Sequence, residues 1–148
     1  MRILKFGGTS VGSPENIKKV IRIIENAQKR HKQIVVLVSA FTGITDQLIH
    51  TGNLASKADE NYKKQFNEIK KRHLEAVKQL IPTKKLLQVS ANVEKTLSEL
   101  ENLLHGIALV KEVSSRSMDL IMSFGERLST FIIAQAINAG FLDTRSLV

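Results

Sequence analysis

Cysteine and tryptophan are absent from this 148-residue sequence, and proline occurs only twice. The lack of cysteine excludes disulfide bonds and thiolate metal sites. Aromatic residues make up only 5% of the chain, although 43% of all residues are hydrophobic, so a core must be built mainly from aliphatic side chains. This amount of apolar material is enough for the core of one domain.

Long apolar runs and a signal-peptide layout are also lacking. No run approaches the roughly 20 apolar residues of a membrane-spanning helix. Near the N-terminus, Lys5 and the glycine pair that follows it interrupt the first apolar stretch, which argues against a secretory signal. We therefore expect a cytoplasmic protein that has no membrane partner.

The net charge of +8 is not concentrated in one segment. The basic excess is spread over residues 1–112, and aromatic residues do not alternate with basic ones as they do in proteins that stack nucleic-acid bases. Solvated helix faces explain this charge better than a nucleic-acid site does. We expect no nucleic-acid partner.

Two apolar runs flank a helix start in the first forty residues. Residues 3–6 predict a short strand, and Ser13 followed by Pro14 and Glu15 predicts the N-terminus of a helix. The run IVVLV at 34–38 has no polar alternation, which is typical of a strand covered on both faces in a parallel sheet. A strand, a helix and a second strand in this order predict an α/β fold.

Residues 57–105 have a different, helical pattern. Apolar side chains recur at helical spacing over 62–80 and again over 86–104, and Pro82 separates the two stretches. Gly106 stands where a glycine that ends a helix is expected. We predict an antiparallel helical hairpin at the edge of the α/β core, with a purely structural role.

A third long helix is predicted over 117–139, with Gly140 at its end. This segment is apolar on nearly every side, which is typical of a buried helix. Residues 144–148 are expected to begin another strand. Because no covering helix follows that strand, we expect the chain to be part of a longer protein.

The stretch KFGGTS at residues 5–10 directly follows the first predicted strand. Glycines such as Gly7 and Gly8 let backbone N–H groups approach phosphate oxygens closely, and Lys5 would add a positive charge. Ser10 would add a hydroxyl donor. The stretch matches neither the Walker A motif nor the dinucleotide fingerprint. The alternative is a tight turn after a strand, with an exposed lysine.

Hydroxyl side chains also follow the second predicted strand. Ser39 and Thr45 lie beyond its carboxyl end, and ligands of open α/β sheets bind at the carboxyl ends of the strands. These hydroxyls therefore predict a ligand site beside KFGGTS. Helix capping by Ser39 or Thr42 is the alternative explanation.

Glu126 belongs to a narrow polar stripe on the third predicted helix. A carboxylate within an otherwise apolar helix is expected to be buried and to need a cationic partner. That partner is either an internal cation, such as Arg127 or Arg116, or a cationic group of a substrate, such as an amine.

Together these stretches resemble one family, the aspartokinases. The resemblance rests on KFGGTSVGS at 5–13, VSAFTGITDQL at 38–48 and SFGERLS at 123–129, in order along the whole chain. The stretch LHGIALV at 104–110 is similar to aspartokinases that are fused to a homoserine dehydrogenase. The resemblance implies the amino-acid-kinase fold, a three-layer αβα sandwich around a mainly parallel sheet.

The resemblance also implies an activity, its cofactors and its regulation. These are ATP- and Mg²⁺-dependent phosphorylation of the L-aspartate side-chain carboxylate to 4-phospho-L-aspartate, the first step towards lysine, threonine and methionine, in an allosteric homo-oligomer. Residues 1–148 would be the N-terminal portion of the catalytic domain, with 57–105 as an inserted hairpin. The base pocket and regulatory domains would follow Val148, so this chain alone is expected to be inactive.

Carried over by position, the resemblance assigns a role to each candidate residue. Lys5 would be the catalytic residue and would also bind the ATP phosphates, together with Gly7, Gly8, Ser10 and Ser39, the last of which would lie near the transferred group. Thr45 and Glu126 would bind aspartate, with Glu126 facing its amine. These candidates are Lys5, Gly7, Gly8, Ser10, Ser39, Thr45 and Glu126. The alternatives are a kinase acting on glutamate or an N-acetylated amino acid, and a non-enzymatic helical interaction module.

Overall fold

Two strands and five α-helices make up the computed structural model, which describes residues 1–143 and Arg145. A short 3-10 helix, Gly8–Val11, follows the first strand. The elements are β1 (Arg2–Phe6), α1 (Pro14–Arg30), β2 (Ile34–Val38), α2 (Ile44–Ser56), α3 (Asn61–Leu80), α4 (Thr83–Val110) and α5 (Ser115–Ala136).

The N-terminal strand, helix and strand form the predicted βαβ unit. β1 and β2 pair in parallel, with Lys5 opposite Leu37 in the register. The side chain of Ser13 caps α1 by accepting a hydrogen bond from the N–H of Asn16 at 3.2 Å, and Pro14 occupies the first turn. The α/β class and the start of α1 are therefore confirmed.

Only one face of the two-stranded sheet is covered by the described residues. Leu4, Val36 and Val38 pack against the core, whereas Val35 and Leu37 are 44% and 46% exposed. The expectation that β2 is covered on both faces is wrong for this part of the chain, and no three-layer sandwich is seen in it. An apolar run makes both faces of a strand able to pack, but it does not supply the layer that covers the second face.

The helical hairpin is formed by α3 and α4, and Pro82 lies in the break between them. The expectation that Gly106 ends α4 is wrong. The helix continues to Val110 because Ile107 extends its buried stripe, and it ends at Lys111, which has a left-handed backbone conformation (φ 56°).

The hairpin is part of the central core and does not lie at its edge. α3 packs against α2 and α5, and α4 packs against α2 and α5 as well. The buried side chains of the hairpin therefore belong to the same hydrophobic cluster as those of β1, α1, α2 and α5. From the hairpin they include Tyr62, Phe66, Ile69, Val77, Val89, Val93, Leu97, Leu100 and Leu104.

α5 is buried along one stripe and exposed elsewhere. Ile121 and Leu128 are buried, but Leu120 is 40% exposed. The helix ends at Ala136, before Gly140. The strand expected at 144–148 lies outside the described residues, except for Arg145. Within the described part of the chain, no helix has the length and apolar character needed to cross a membrane.

Candidate functional site

Two loops meet at the carboxyl ends of the paired strands. We call residues 7–13 the first loop and residues 39–43 the second loop. The N–H of Ser39 donates to the carbonyl oxygen of Phe6 at 3.1 Å, which continues the strand pairing into both loops. A Cβ atom placed on Gly8 would lie 3.5 Å from the carbonyl oxygen of Ala40, so the two backbones are in close contact.

The start of the first loop is open to solvent. Gly7 is exposed, and a Cβ atom placed on it would meet no other atom within 4 Å. The N–H of Ser10 donates to the carbonyl oxygen of Gly7 at 3.0 Å and so shapes the turn, while Val11 is fully buried and anchors it. Lys5 is exposed beside this loop, on the uncovered face of the sheet.

Hydrogen bonds to backbone carbonyls connect the two loops with α3. The hydroxyl of Thr42 donates to the carbonyl oxygen of Gly8 at 2.6 Å. The guanidinium of Arg72 donates to the carbonyl oxygens of Thr42 at 2.6 Å and of Gly12 at 3.2 Å. The proposed capping role of Thr42 is wrong, because Gly43 precedes α2 as its cap residue and no side chain caps that helix.

α5 lies directly against the second loop. The buried hydroxyl of Ser129 donates to the carbonyl oxygen of Ser39 at 2.8 Å. Gly125 permits this approach, because a Cβ atom placed on it would lie 2.8 Å from the Cβ of Ala40 and 3.4 Å from the Cγ2 of Ile44. Thr45, which follows Ile44, and Glu126, which follows Gly125, therefore lie next to residues at which α2 and α5 meet.

The carboxylate of Glu126 is exposed, and the expectation that it is buried is wrong. The buried stripe of α5 passes through Phe124 and Leu128 and leaves Glu126 outside it. Arg127 pairs instead with Glu99 at 3.1 Å and with Asp143 at 3.7 Å.

The alternative expectation, an internal ion pair between Glu126 and a nearby arginine, is also wrong for the described residues. Neither Arg127 nor Arg116 is within ion-pair distance of the Glu126 carboxylate. Over residues 1–143 and Arg145, no cluster of three or more histidine, aspartate or glutamate side chains has an arrangement that could hold a metal ion.

His73 is buried below the second loop. Its Nδ1 donates to the carbonyl oxygen of Ile69 at 2.8 Å, and its ring stacks on Phe41 with 5.2 Å between the ring centroids. Burial lowers the pKa of His73 to about 4, and the neighbouring Arg72 charge adds to this effect. The Nε2 atom has no hydrogen-bond partner in the described part of the chain. The ring is therefore neutral at pH 7.

Several residues that connect the site were not singled out by sequence reasoning. These residues are Arg72, Gly125 and Ser129, and Thr42 was considered only as a helix cap. Gly125 carried a usable signal, since a glycine within an apolar helix often marks close packing. The other contacts join residues that are far apart in the chain, so no local pattern reports them.

The family model of the amino acid kinase family matches residues 1–147. The chain belongs to this family. The resemblance to aspartokinases is confirmed by curated relatives that cover nearly the whole chain. Aspartokinase 1, chloroplastic, of Arabidopsis thaliana is 36% identical over 92% of this chain and 23% of its own length. The bifunctional aspartokinase/homoserine dehydrogenase 2, chloroplastic, of Zea mays is 26% identical over 97% of this chain and 16% of its own.

The fold of this member of the amino acid kinase family also matches a solved aspartokinase. E. coli aspartokinase III, in a crystal structure with aspartate and ADP, superposes with a TM-score of 0.77 at 22% identity. The match covers 93% of this chain and 29% of the solved one, and at this identity it shows the fold alone. The chain thus spans less than a third of the length of these relatives.

Proposed function

We propose that this amino acid kinase chain binds MgATP and L-aspartate and takes part in phosphorylating the aspartate side-chain carboxylate. The observation that carries the proposal is the joining of both loops and α5 at the carboxyl ends of β1 and β2. The hydroxyl of Thr42 connects the two loops through the carbonyl oxygen of Gly8, and the hydroxyl of Ser129 connects α5 to the second loop through the carbonyl oxygen of Ser39. Open α/β sheets bind their ligands at the carboxyl ends of their strands.

The first loop is proposed to bind the phosphates of the nucleotide. The open position of Gly7 gives an anion access to the backbone amides, and Lys5 is exposed beside them. Gly8 and Ser10 would contribute a second amide and a hydroxyl, and Ser39 would contribute a hydroxyl near the transferred group. Backbone N–H groups in such concave turns are effective ligands of phosphate oxygens.

The start of α2 and the exposed stripe of α5 are proposed to bind aspartate. Thr45 would donate its hydroxyl to a substrate carboxylate, and Glu126 would accept from the substrate amine. The exposed carboxylate of Glu126, which has no ion pair among the described residues, is available for this contact. The choice of ligands is supported by the E. coli relative, whose crystal structure holds aspartate and ADP.

The proposed reaction needs no general base. A carboxylate nucleophile is already ionised at neutral pH. One of its oxygens attacks the γ-phosphorus, the bond between that phosphorus and the bridging oxygen of ADP breaks, and 4-phospho-L-aspartate and ADP result. The barrier comes from bringing two anions together, so positioning and charge neutralisation carry most of the catalysis. Lys5, the glycine amides and the Mg²⁺ that accompanies ATP would supply this neutralisation.

Ligand titration of the chain tests this proposal. The ¹⁵N–¹H spectrum is recorded while MgADP, L-aspartate, L-glutamate or N-acetyl-L-aspartate is added. We expect MgADP to shift the amide signals of Gly7, Gly8 and Ser10, and L-aspartate to shift those of Thr45 and Glu126. Lys5→Met should abolish the MgADP shifts, whereas Lys64→Met, on the exposed face of α3, should preserve them.

Each alternative function has its own result in this titration. Shifts caused by L-glutamate or N-acetyl-L-aspartate, but not by L-aspartate, would indicate a different amino acid kinase. The absence of all shifts would contradict the proposal and favour a non-enzymatic module. Turnover, measured by trapping the acyl phosphate with hydroxylamine, is expected only where the rest of the family's kinase fold is present. The homo-oligomer and the feedback regulation stay predictions.

A further inference from the structure

Arg72 reaches from the hairpin to the place where the first and second loops meet. Its two terminal nitrogens donate to two carbonyl oxygens, those of Thr42 and Gly12, which lie 30 and 60 positions earlier in the chain. A guanidinium is a planar fork of donors with fixed spacing. These two bonds therefore set the separation of the two loops at this point.

Thr42 extends this connection to the beginning of the first loop. Its carbonyl accepts from Arg72, while its hydroxyl donates to the carbonyl oxygen of Gly8 at 2.6 Å. Gly12 leaves the room for this arrangement, because an added Cβ would lie only 2.6 Å from the Thr42 hydroxyl oxygen. Both ends of the segment 8–12 are thus held by one pair of residues.

We propose that Arg72 is a positioning residue for the nucleotide, acting through Thr42 on the first loop. The inference rests on the proposed function, since it assigns a purpose to the geometry of the phosphate-binding amides. A loop that is already ordered loses less conformational entropy when a ligand binds. Arg72 and Thr42 would therefore raise nucleotide affinity by holding the amides of Gly7 and Gly8 in their bound arrangement.

The charge and burial of Arg72 distinguish it from its basic neighbours on α3. Arg72 is half-buried, and burial lowers the pKa of its guanidinium, which stays charged at neutral pH. Lys71 is exposed, and it pairs with Glu75 at 3.9 Å on the surface of the same helix. On this proposal the hairpin contributes Arg72 to the site, whereas its sequence pattern predicted a purely structural role.

Nucleotide binding by matched variants tests this inference. The dissociation constants of MgADP and L-aspartate are measured by calorimetry for the wild-type chain, Arg72→Met, Arg72→Lys and the control Lys71→Met. We expect Arg72→Met to weaken MgADP binding by tenfold or more and aspartate binding by less than threefold. Lys71→Met should match the wild type. Arg72→Lys keeps the charge but not the fork, so it should recover only part of the affinity.

Thr42 supplies a second pair of variants in case Arg72→Met does not fold. Thr42→Val keeps the shape of this exposed side chain and removes the hydroxyl, whereas Thr42→Ser keeps the hydroxyl. We expect Thr42→Val to weaken MgADP binding and Thr42→Ser to bind like the wild type. In the unliganded chain, Arg72→Met and Thr42→Val should both speed amide hydrogen exchange within 8–12.

The possible failures of these experiments can be told apart. A wild-type chain that does not bind MgADP would contradict the proposed function. A wild-type chain that binds MgADP, together with unchanged affinity in Arg72→Met and Thr42→Val, would overturn the positioning role alone. Lower melting temperatures without any change of affinity or of exchange in 8–12 would make Arg72 merely structural. Full recovery by Arg72→Lys would contradict the forked contact.

Discussion

At the scale of single residues, two neighbouring positions on α5 have opposite environments. Arg127 is largely buried, pairs with Glu99 and Asp143, and lies over the ring of Phe124 with 4.5 Å to its centroid. Glu126 is exposed and has no such partner within the described residues. Arg127 is therefore a structural residue, whereas the Glu126 carboxylate is open to solvent, as its proposed role as an aspartate ligand requires.

Glu126→Gln is expected to impair aspartate binding selectively. The variant keeps the shape of the side chain and removes its charge, and loss of a charge-assisted hydrogen bond corresponds to about a tenfold to hundredfold weaker binding. The dissociation constant of L-aspartate should rise by this factor, while that of MgADP should change little. Because Glu126 is exposed, the melting temperature should stay near that of the wild type. Calorimetry and a thermal melt on the same sample measure these three quantities.

Arg127→Gln is the matched control for this experiment. It should lower the melting temperature, because it removes two ion pairs and the contact with Phe124. If Glu126→Gln destabilised the fold and left aspartate binding intact, Glu126 would be a structural residue and not a substrate ligand.

At the scale of elements, the short distance between α5 and the second loop depends on the glycine at position 125, which has no side chain. A Cβ atom on Gly125 would lie 2.8 Å from the Cβ of Ala40, and neither atom belongs to a flexible side-chain end. One turn later, Ser129 bonds to the carbonyl oxygen of Ser39. Gly106 in α4 is different, because an added Cβ there would meet no atom within 4 Å.

Alanine substitutions at these two helical glycines should have opposite effects on stability. Gly125→Ala forces α5 away from the second loop, and overpacking of this kind costs about 1–3 kcal/mol of unfolding free energy. Gly106→Ala removes a residue that disfavours a helix interior, which should stabilise the chain by about 0.5–1 kcal/mol. Urea unfolding of both variants measures the two changes. Equal behaviour of both variants would mean that the contact of Gly125 with Ala40 does not limit the packing of α5.

At the scale of the whole molecule, one hydrophobic core includes side chains of β1 and of all five helices. The sheet contributes one covered face to this core, and the outward face carries exposed Ile3, Val35 and Leu37. A largely apolar groove of about 450 Å³ runs along β2 and the end of α5. His73 is fully buried where α3 meets the second loop, so its ionisation state affects the stability of the fold.

The free energy of unfolding should decrease as the pH is lowered from about 6.5 to about 4. Burial lowers the pKa of His73 from 6.5 to about 4, so only the unfolded chain takes up this proton within that window. This contribution is complete above the unfolded pKa and is lost as the pH falls to the folded one, with a slope of up to about 1.4 kcal/mol per pH unit. Urea unfolding at several pH values measures this slope.

His73→Phe should flatten the pH dependence in this window, because it keeps a ring beside Phe41 and removes the titrating group. His50→Gln is the control, since His50 is exposed. A wild-type slope that persists unchanged in His73→Phe would show that other groups cause it.

Local features of this protein were determined by the sequence alone. The Ser13 cap of α1 and the break at Pro82 follow from interactions among residues close in the chain, so short patterns were sufficient to predict them. Short apolar runs were likewise sufficient to locate the two strands, although the strands pair with each other across 32 positions. The motifs at 5–13, 38–48 and 123–129 also identified the aspartokinase resemblance that the comparisons confirmed.

The tertiary structure alone decided which helix faces meet, and with them the geometry of the candidate site. Ser129 contacts Ser39 across 90 positions and Arg72 contacts Gly12 across 60, and neither pairing has a local signal. The exposure of Glu126 likewise depends on which stripe of α5 packs. Periodicity identifies the apolar face of a helix but not the partner of that face, because the partner is selected by the packing of the whole core.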